Sequence, residues 1–394
     1  MLETLFWFNI FILVYSYFCY GILIFILVQI KQLFYKTDKQ TNTKIYEPEV
    51  TLFVPAYNEK NYVDAKIKNT LELDYPSDKK KILWVTDGSN DGTPETLAKY
   101  NFVEVLHKPE REGKIAAMNR GMSFVKTPIV IFSDANTLLS GNSIREIVRQ
   151  FKNPKVGCVA GEKRILLDNK TEAASAGEGI YWKYESFIKL MDAKLNSSIG
   201  AVGELFAIRT ALYEPVEPDT ILDDFMISMR IAIKGYKIQY APNAYAIENA
   251  SQNIKEEMKR KIRIAAGSFQ SIPRLKVLFN PFKHGLLSFQ YISHKVLRWT
   301  IAPLSMVTLV PVTFLLTFKN TGNSQNIYSF TWWLIVVFGI WAIIGWFFEN
   351  KKIKYKYLFV PYYICIMNVS AFLGFFRYLK KSQSVNWERA KRKE

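Results

Sequence analysis

Apolar and polar positions divide this chain into a polar middle held between apolar ends. Residues 5–30 are almost wholly apolar and uncharged, and apolar stretches return at 296–318, 330–348 and 358–376. About 20 such residues cross a bilayer as a helix, so all four are candidate spans. Within the middle, short β-branched runs alternate with stretches of helical periodicity. Residues 50–55 (VTLFVP) predict a first strand, and 56–59 a loop opening a helix towards Leu73. Strands are further predicted at 81–85, 103–106 and 129–133, with a helix over 115–125. The runs lack polar alternation, as suits strands buried on both faces of a parallel sheet. Strand–loop–helix units in succession imply a doubly wound α/β sheet, in which ligands bind outside the carboxyl ends of the strands.

The loops at that edge carry the candidate chemistry. The run 129–133 ends in Ser133-Asp134-Ala135-Asn136, and Asp134 with Asn136 can offer oxygens to one hard divalent cation. A plain turn is the competing account of the same residues. Asp87, in the stretch TDGSNDGT, can accept a hydrogen bond from a nucleobase imide, while Asn90 to Gly92 reads as turn chemistry. Lys114 follows Gly113 into a helix, a position suited to phosphate and equally to solvent.

Further along, 156–160 is another apolar run, and 178–191 (EGIYWKYESFIKLM) holds Tyr181, Trp182, Tyr184 and Phe187. These aromatics suit a platform for sugar C–H faces, and the spacing suits an ordinary helix packed on the sheet. Leu222, Phe225, Met226, Met229 and Ile233 share one helical face, and Gly235 supplies the stop. Asp223 and Asp224 open that helix, where its dipole favours acids. Residues 254–269 predict an amphipathic helix with a basic face, and 281–299 an interfacial helix leading into the membrane. His284 and His294 read as hydrogen-bonding residues there.

Charge then orients the chain. Lys31, Lys36, Lys39 and Lys44 follow the first apolar stretch, so the positive-inside rule puts the polar middle in the cytoplasm. A cleaved signal peptide fits 5–30 less well than an anchor, because Glu3 stands where a basic region is needed. The net charge of +17 suits anionic lipid and anionic substrates; no nucleic-acid motif accompanies it. Three spans after the middle would leave the basic tail outside, against the charge rule. The stretch 358–376, with Pro361, Asn368, Ser370 and Gly374, can instead bend back. Cys19, Cys158 and Cys365 are dispersed and give neither zinc spacing nor a disulfide framework.

VPAYNE, VTDGSNDGT, EGKIAAMNRG and FSDANT, in this order and at these intervals, resemble the nucleotide-sugar-binding half of inverting family 2 glycosyltransferases with the GT-A fold. The resemblance extends to the membrane-bound synthases of poly-N-acetylglucosamine, hyaluronan and cellulose. It implies that Ala56, Tyr57 and Glu59 frame the nucleotide pocket, Asp87 contacts uracil, and Lys114 and Asn119 line the pocket. Asp134 and Asn136 stand at the metal-binding D-x-D position, with Asn in place of the second Asp. Residues 200–209 (GAVGELFAIR) resemble the acceptor segment, which brings in Gly203 and Glu204; Glu204 stands where a smaller residue is usual. Leu222-Asp223-Asp224 aligns with Thr-Glu-Asp, implying Asp224 as general base with Asp223 beside the acceptor. Of the Gln-x-x-Arg-Trp segment only Arg263 matches, implying diphosphate contact; Arg260 and Ile264 replace Gln and Trp.

The expectation is therefore an α/β GT-A cytoplasmic domain at 45–275, after a membrane helix at 1–31. An interfacial helix at 276–295, membrane segments at 296–379 and a basic tail at 380–394 follow it. The resemblance implies a multi-pass plasma-membrane enzyme using Mg²⁺ or Mn²⁺. It would move a hexose or N-acetylhexosamine from a UDP-sugar to a growing polysaccharide, among membrane lipids. Single transfer to a lipid carrier and a catalytically silent binding subunit are the other two readings.

Overall fold

The computed structural model describes residues 1–34, 46–166, 173–249, 251, 253–319, 325–350 and 356–383. Lys36, Lys39 and Lys44, the tail beyond 383 and the Tyr181 side chain lie outside the described residues. In chain order, helix α1 (Leu2–Phe34) includes a π-helical turn at Tyr15–Cys19. Then come β1 (Val50–Ala56), α2 (Lys60–Leu71), β2 (Lys80–Asp87), β3 (Glu104–Lys108), α3 (Lys114–Met122), β4 (Ile129–Ser133) and β5 (Leu138–Leu139). After these follow β6 (Val156–Leu166), α4 (Ala173–Leu195), β7 (Leu205–Arg209), α5 (Asp223–Ile233), β8 (Lys237–Asn249) and α6 (Ile254–Arg274). The long apolar helices α7 (Ile301–Lys319), α8 (Gln325–Asn350) and α9 (Lys356–Leu379) close the order.

The strands form one sheet in the order β3-β2-β1-β4-β7-β6-β8-β5. β3, β2, β1 and β4 are parallel, β7 runs antiparallel between β4 and β6, and β6 is parallel to β8. Chain order reverses between β1 and β4, so the loops after β1, β2 and β4 open into one crevice. Every residue of β1 and β4 is buried, because both faces of the sheet are covered. On one face Phe53, Phe132 and Phe206 run across three strands, centroids 5.2 and 4.7 Å apart, beneath Met118 of α3 and Phe225 of α5. On the other, Leu52, Val54 and Ile131 pack with Val63 and Ile67 of α2.

Among the described residues four helices are long and apolar enough to cross a membrane: Leu2–Phe34, Ile301–Lys319, Asn326–Glu349 and Val360–Leu379. α1 meets α7 and α8 through Phe6, Leu309, Val312, Leu316 and Tyr328. Its second half lies along α4, where Tyr20, Ile24 and Val28 pack on Ile188, Met191 and Leu195. There the Tyr184 hydroxyl donates to the Tyr17 carbonyl at 2.6 Å and Lys31 Nζ to the Leu195 carbonyl at 2.6 Å. A buried polar cluster completes the joint. Asp192 accepts from the Tyr20 hydroxyl at 2.6 Å and from Gln290 at 3.0 Å, and faces His294 Nδ1 at 2.6 Å. Glu185 faces His294 Nε2 at 3.1 Å, Lys295 at 2.5 Å and Arg298 at 3.0 Å.

One feature of the C-terminal half departs from the expectation, and another bears on the stretch left open between spanning and bending back. The stretch 281–299 is not one helix: Gly285, at φ 53°, cannot continue helical geometry, and a π-helical turn follows at Tyr291–Val296. α9 runs parallel along α6, with Tyr363 beside Ile254, Phe375 4.9 Å from Phe269, and Gly374 against Ala265 and Ala266. The approach at Gly374 is so close that a Cβ there would lie 2.8 Å from the Ala266 nitrogen. On its other side α6 lays Gly267 against Ile221 and Leu222.

Candidate active site

The ends of β1 and β2 and the start of α3 enclose a cleft of about 230 Å³, solvent-open space included, lined by Ala56, Tyr57, Asp87, Arg111, Gly113 and Lys114 among others. Gly113 adopts φ 99°, open to glycine alone at little cost, and turns the chain so that α3 starts over the cleft. Asp87 Oδ2 accepts from the backbone N–H groups of Glu112 at 2.9 Å and Gly113 at 2.6 Å. Its Oδ1 is buried and receives no hydrogen bond among the described residues. Burial pushes the Asp87 carboxyl up in spite of those amides. The Arg111 guanidinium lies 3.7 Å over the Tyr57 ring. The cleft thus brings together an aromatic ring, the cation stacked on it and a carboxylate oxygen that faces Arg120 at 3.8 Å without a hydrogen bond, a set that suits a nucleoside.

Beside it three acids converge on one lysine. Lys114 Nζ lies 3.0 Å from Asp134 Oδ1, at the end of β4, and 3.2 Å from Asp223 Oδ2, at the start of α5. Burial opposes the ammonium, but Asp134, Asp223 and Asp224 together raise it above its ordinary range. Asp134 is itself raised, since burial outweighs Lys114. Asp224 is pushed up to about 7 by burial and then by the Asp223 charge. A Cβ added at Gly203 would lie 3.4 Å from Asp224 Oδ2, so the glycine leaves that carboxylate approachable. Arg263 of α6 carries charge towards the same acids; burial lowers its pKa against Asp223, Asp134 and Asp224.

Buried groups behind this centre fix its loops. Lys66 of α2, wholly buried, donates to Ser133 Oγ at 2.7 Å and to the Thr137 carbonyl at 2.8 Å, so it clamps both ends of the Asp134–Asn136 turn. Burial brings its pKa down to about 7. Asn136 Nδ2 donates to Glu248 at 3.4 Å. Glu248 in turn binds Lys163 at 2.5 Å, and Lys163 also pairs with Glu204. Burial acts to raise the Glu204 carboxyl, but Lys163 outweighs it and holds the group low. The Trp182 ring is faced by the ammonium groups of Lys163 at 5.6 Å, Lys189 at 5.4 Å and Lys261 at 6.0 Å.

Of the residues singled out in the sequence, Ala56, Tyr57, Asp87 and Lys114 share the cleft, and Asp134, Asp223, Asp224 and Arg263 share the charged centre. Two sit elsewhere. Asn119 spends its amide on the Tyr213 hydroxyl at 2.6 Å and the Val216 carbonyl at 3.3 Å, and Glu59 is buried with its backbone N–H on Thr93. Arg111, Lys66 and Lys163 were not anticipated. Lys66 left a readable signal: it interrupts the buried stripe of Val63, Ile67 and Thr70.

The donor set fits a hard divalent cation. It is all oxygen, and Asn136 Oδ1 makes no hydrogen bond among the described residues, while the Lys114 ammonium stands at Asp134 Oδ1 and Asp223 Oδ2 in the place of a positive charge. No three His, Cys, Asp or Glu side chains among the described residues are gathered to hold an ion by themselves. A cation here would need oxygens from a substrate, as Mg²⁺ commonly does.

Comparison with known proteins gives this geometry a context. A poly-beta-1,6-N-acetyl-D-glucosamine synthase of Staphylococcus aureus is 26% identical over 259 residues, which is 62% of this chain and 60% of that protein. The match therefore spans less than two thirds of the relative's length. A probable glycosyltransferase, YdaM, of Bacillus subtilis is 22% identical over 372 residues, 78% of this chain and 86% of that one. The fold is that of a mannosyltransferase from Pyrobaculum calidifontis solved in complex with GDP-Man and Mn²⁺, with TM-score 0.68, 20% identity, and coverage of 97% of this chain and 100% of that one. The family model for glycosyl transferase family 2 matches residues 51–216, the segment that supplies the cleft, Lys114 and Asp134. Residues 51–216 are thus a glycosyl transferase family 2 domain, carried by this chain on a GT-A fold.

Proposed function

We propose that this chain is a membrane-embedded inverting glycosyltransferase that takes a sugar from a nucleoside-diphosphate donor, UDP-linked by preference, and adds it to a saccharide growing at the membrane. The observation that carries the reading is the bridge from Lys114 to Asp134 and Asp223, with Asp224 raised to about 7 beside it and the cleft of Tyr57, Asp87 and Arg111 adjoining. Asp224, near neutral in affinity for protons, takes the proton of the acceptor hydroxyl as its oxygen attacks the anomeric carbon. The bond from that carbon to the diphosphate breaks, and the electron pair leaves with the diphosphate. Lys114 and Arg263 meet the charge that develops there. A divalent cation held by Asp134 and Asn136 would add charge neutralisation at the same diphosphate. Asp87 Oδ1 accepts the imide N–H of the base, Tyr57 offers its face, and Gly203 and Trp182 border the acceptor side.

The likeness to a poly-beta-1,6-N-acetyl-D-glucosamine synthase supports a polysaccharide acceptor, while Ile264, following Arg263 on α6, supports the narrower reading of single transfer to a lipid carrier. α9 lying along α6 supports a tail on the same side as the catalytic domain, the cytoplasm by the charge rule.

Nucleoside diphosphate release by the purified protein in lipid, across UDP-sugars with Mg²⁺ or Mn²⁺, tests the reading. Turnover of one donor that needs metal and collapses in Asp224→Asn is expected. No turnover with any donor, while nucleotide still binds, would turn the reading to a silent binding subunit. Product length separates polymerisation from single transfer.

A further inference from the structure

Lys189 is out of balance with its surroundings. It sits on α4 at 6% exposure, and among the described residues it makes no hydrogen bond and no ion pair. Its one direct partner is the face of Trp182, 5.4 Å away. The two other ammonium groups on that ring have carboxylates of their own: Lys163 has Glu204 and Glu248, and Lys261 has Glu257 at 3.6 Å, shared with Arg260. Glu162 feels the Lys189 charge from beyond ion-pair reach; its carboxylate is engaged by the Ser186 hydroxyl at 2.6 Å. Lys295 adds repulsion from the other side, with Glu185 as its own partner. A buried ammonium with no carboxylate in ion-pair reach is costly, and a ligand that supplies the anion would offset that cost.

The position says which ligand. Lys163, sharing the Trp182 ring, pairs with Glu204, next in sequence to the Gly203 that faces Asp224. On the same helix as Lys189, Tyr184, Ile188 and Met191 pack against α1. Lys189 is therefore linked to the candidate base through Trp182, Lys163 and Glu204, and its helix packs on an apolar helix of membrane length.

Resting on the assignment of Asp224 as base and of its side as the acceptor side, we propose that the acceptor carries an oxyanion, phosphate or carboxylate, read by Lys189 at the face of Trp182. A phosphate would come from a polyisoprenyl phosphate in the bilayer, a carboxylate from a uronic-acid saccharide.

Binding to the full-length protein in lipid nanodiscs, without donor, separates the sources. The probes are a polyisoprenyl phosphate against the polyisoprenol of equal length, and a glucuronate-containing oligosaccharide against its neutral counterpart. One anionic probe is expected to bind roughly 10-fold or more tighter than its neutral partner, as a charge-assisted hydrogen bond implies. The preference should fall with added salt, vanish in Lys189→Gln and survive in Lys189→Arg. Equal binding of charged and neutral probes to the wild type, no binding of either anionic probe, or a preference that survives Lys189→Gln would overturn the proposal. The wild-type comparison and its salt dependence stand even where Lys189→Gln does not fold. Because no sugar transfer is read, failure of the transfer reaction and failure of this proposal remain distinct.

Discussion

Lys114 holds Asp134 at 3.0 Å, joining the first residue of α3 to the first residue after β4. The same ammonium reaches Asp223, so one cation sets the spacing between the two halves of the centre. Replacing Lys114 with Met removes that cation and leaves buried acids facing one another. A fall in kcat of about 10²–10³-fold is expected, the size seen when one preorganised stabiliser of developing charge is lost. Donor turnover with saturating acceptor measures it, and a variant within threefold of wild type, roughly 0.7 kcal/mol, would remove Lys114 from the chemistry.

Asp224 should make the reaction sensitive to pH. Its carboxyl must be ionised to accept a proton, and burial with the Asp223 charge raises it to about 7, so kcat/KM is expected to climb with pH through that region. Stability runs the other way. The native state holds a proton that the unfolded chain releases near 4, so between about 4 and 7 the native state loses ground as pH rises. Asp224→Asn should therefore be nearly inactive yet melt higher than wild type at pH 7.5. A lower melting temperature would show that the carboxylate is held by interactions that outweigh its burial.

Lys66 predicts a second pH signature, of opposite slope. Its native pKa is lowered to about 7 by burial, whereas the unfolded side chain titrates near 10.4. Between those values the unfolded chain binds the extra proton, so stability rises with pH, at up to about 1.4 kcal/mol per unit. Lys66→Met should flatten the climb in melting temperature from pH 7 to 10. It should also lower kcat, because Ser133 and Thr137 lose the donor that clamps the Asp134 turn.

The parallel strands β1 to β4, the loops at their carboxyl ends and the acids at the start of α5 were legible because each is a local signal, for the strands a run of β-branched residues stopped by polar ones. The antiparallel course of β7 was not, since a strand's direction is set by where the chain returns from and α4 intervenes. Lys163 illustrates the same limit. Its partners Glu204 and Glu248 lie 41 and 85 residues away, and nothing local marks a lysine for burial between two carboxylates. The joint between α1 and α4 likewise rests on Tyr20 and Asp192, 172 residues apart.

Gly374 gives a test of how far α9 matters to the centre. A larger side chain there meets Ala265 and the backbone of Ala266, on the helix that carries Arg263 and presses Gly267 onto the Asp223 loop. Gly374→Leu is expected to cut turnover and lower the melting temperature by several degrees, as overpacking by about 1–3 kcal/mol does. Gly339→Leu on α8, where an added Cβ meets nothing within 4 Å, is the matched control and should change neither.

The joint between α1 and α4 bears on how this protein can be handled. A fragment starting at residue 46 would leave the Asp192 carboxylate without the Tyr20 hydroxyl and turn Ile188, Met191 and Leu195 out to water. Such a piece is expected to aggregate rather than stand as a soluble enzyme, although its sheet would be complete. The same dependence orders events during synthesis. α1 is made before α4, so the catalytic half completes its packing against a helix that is already there.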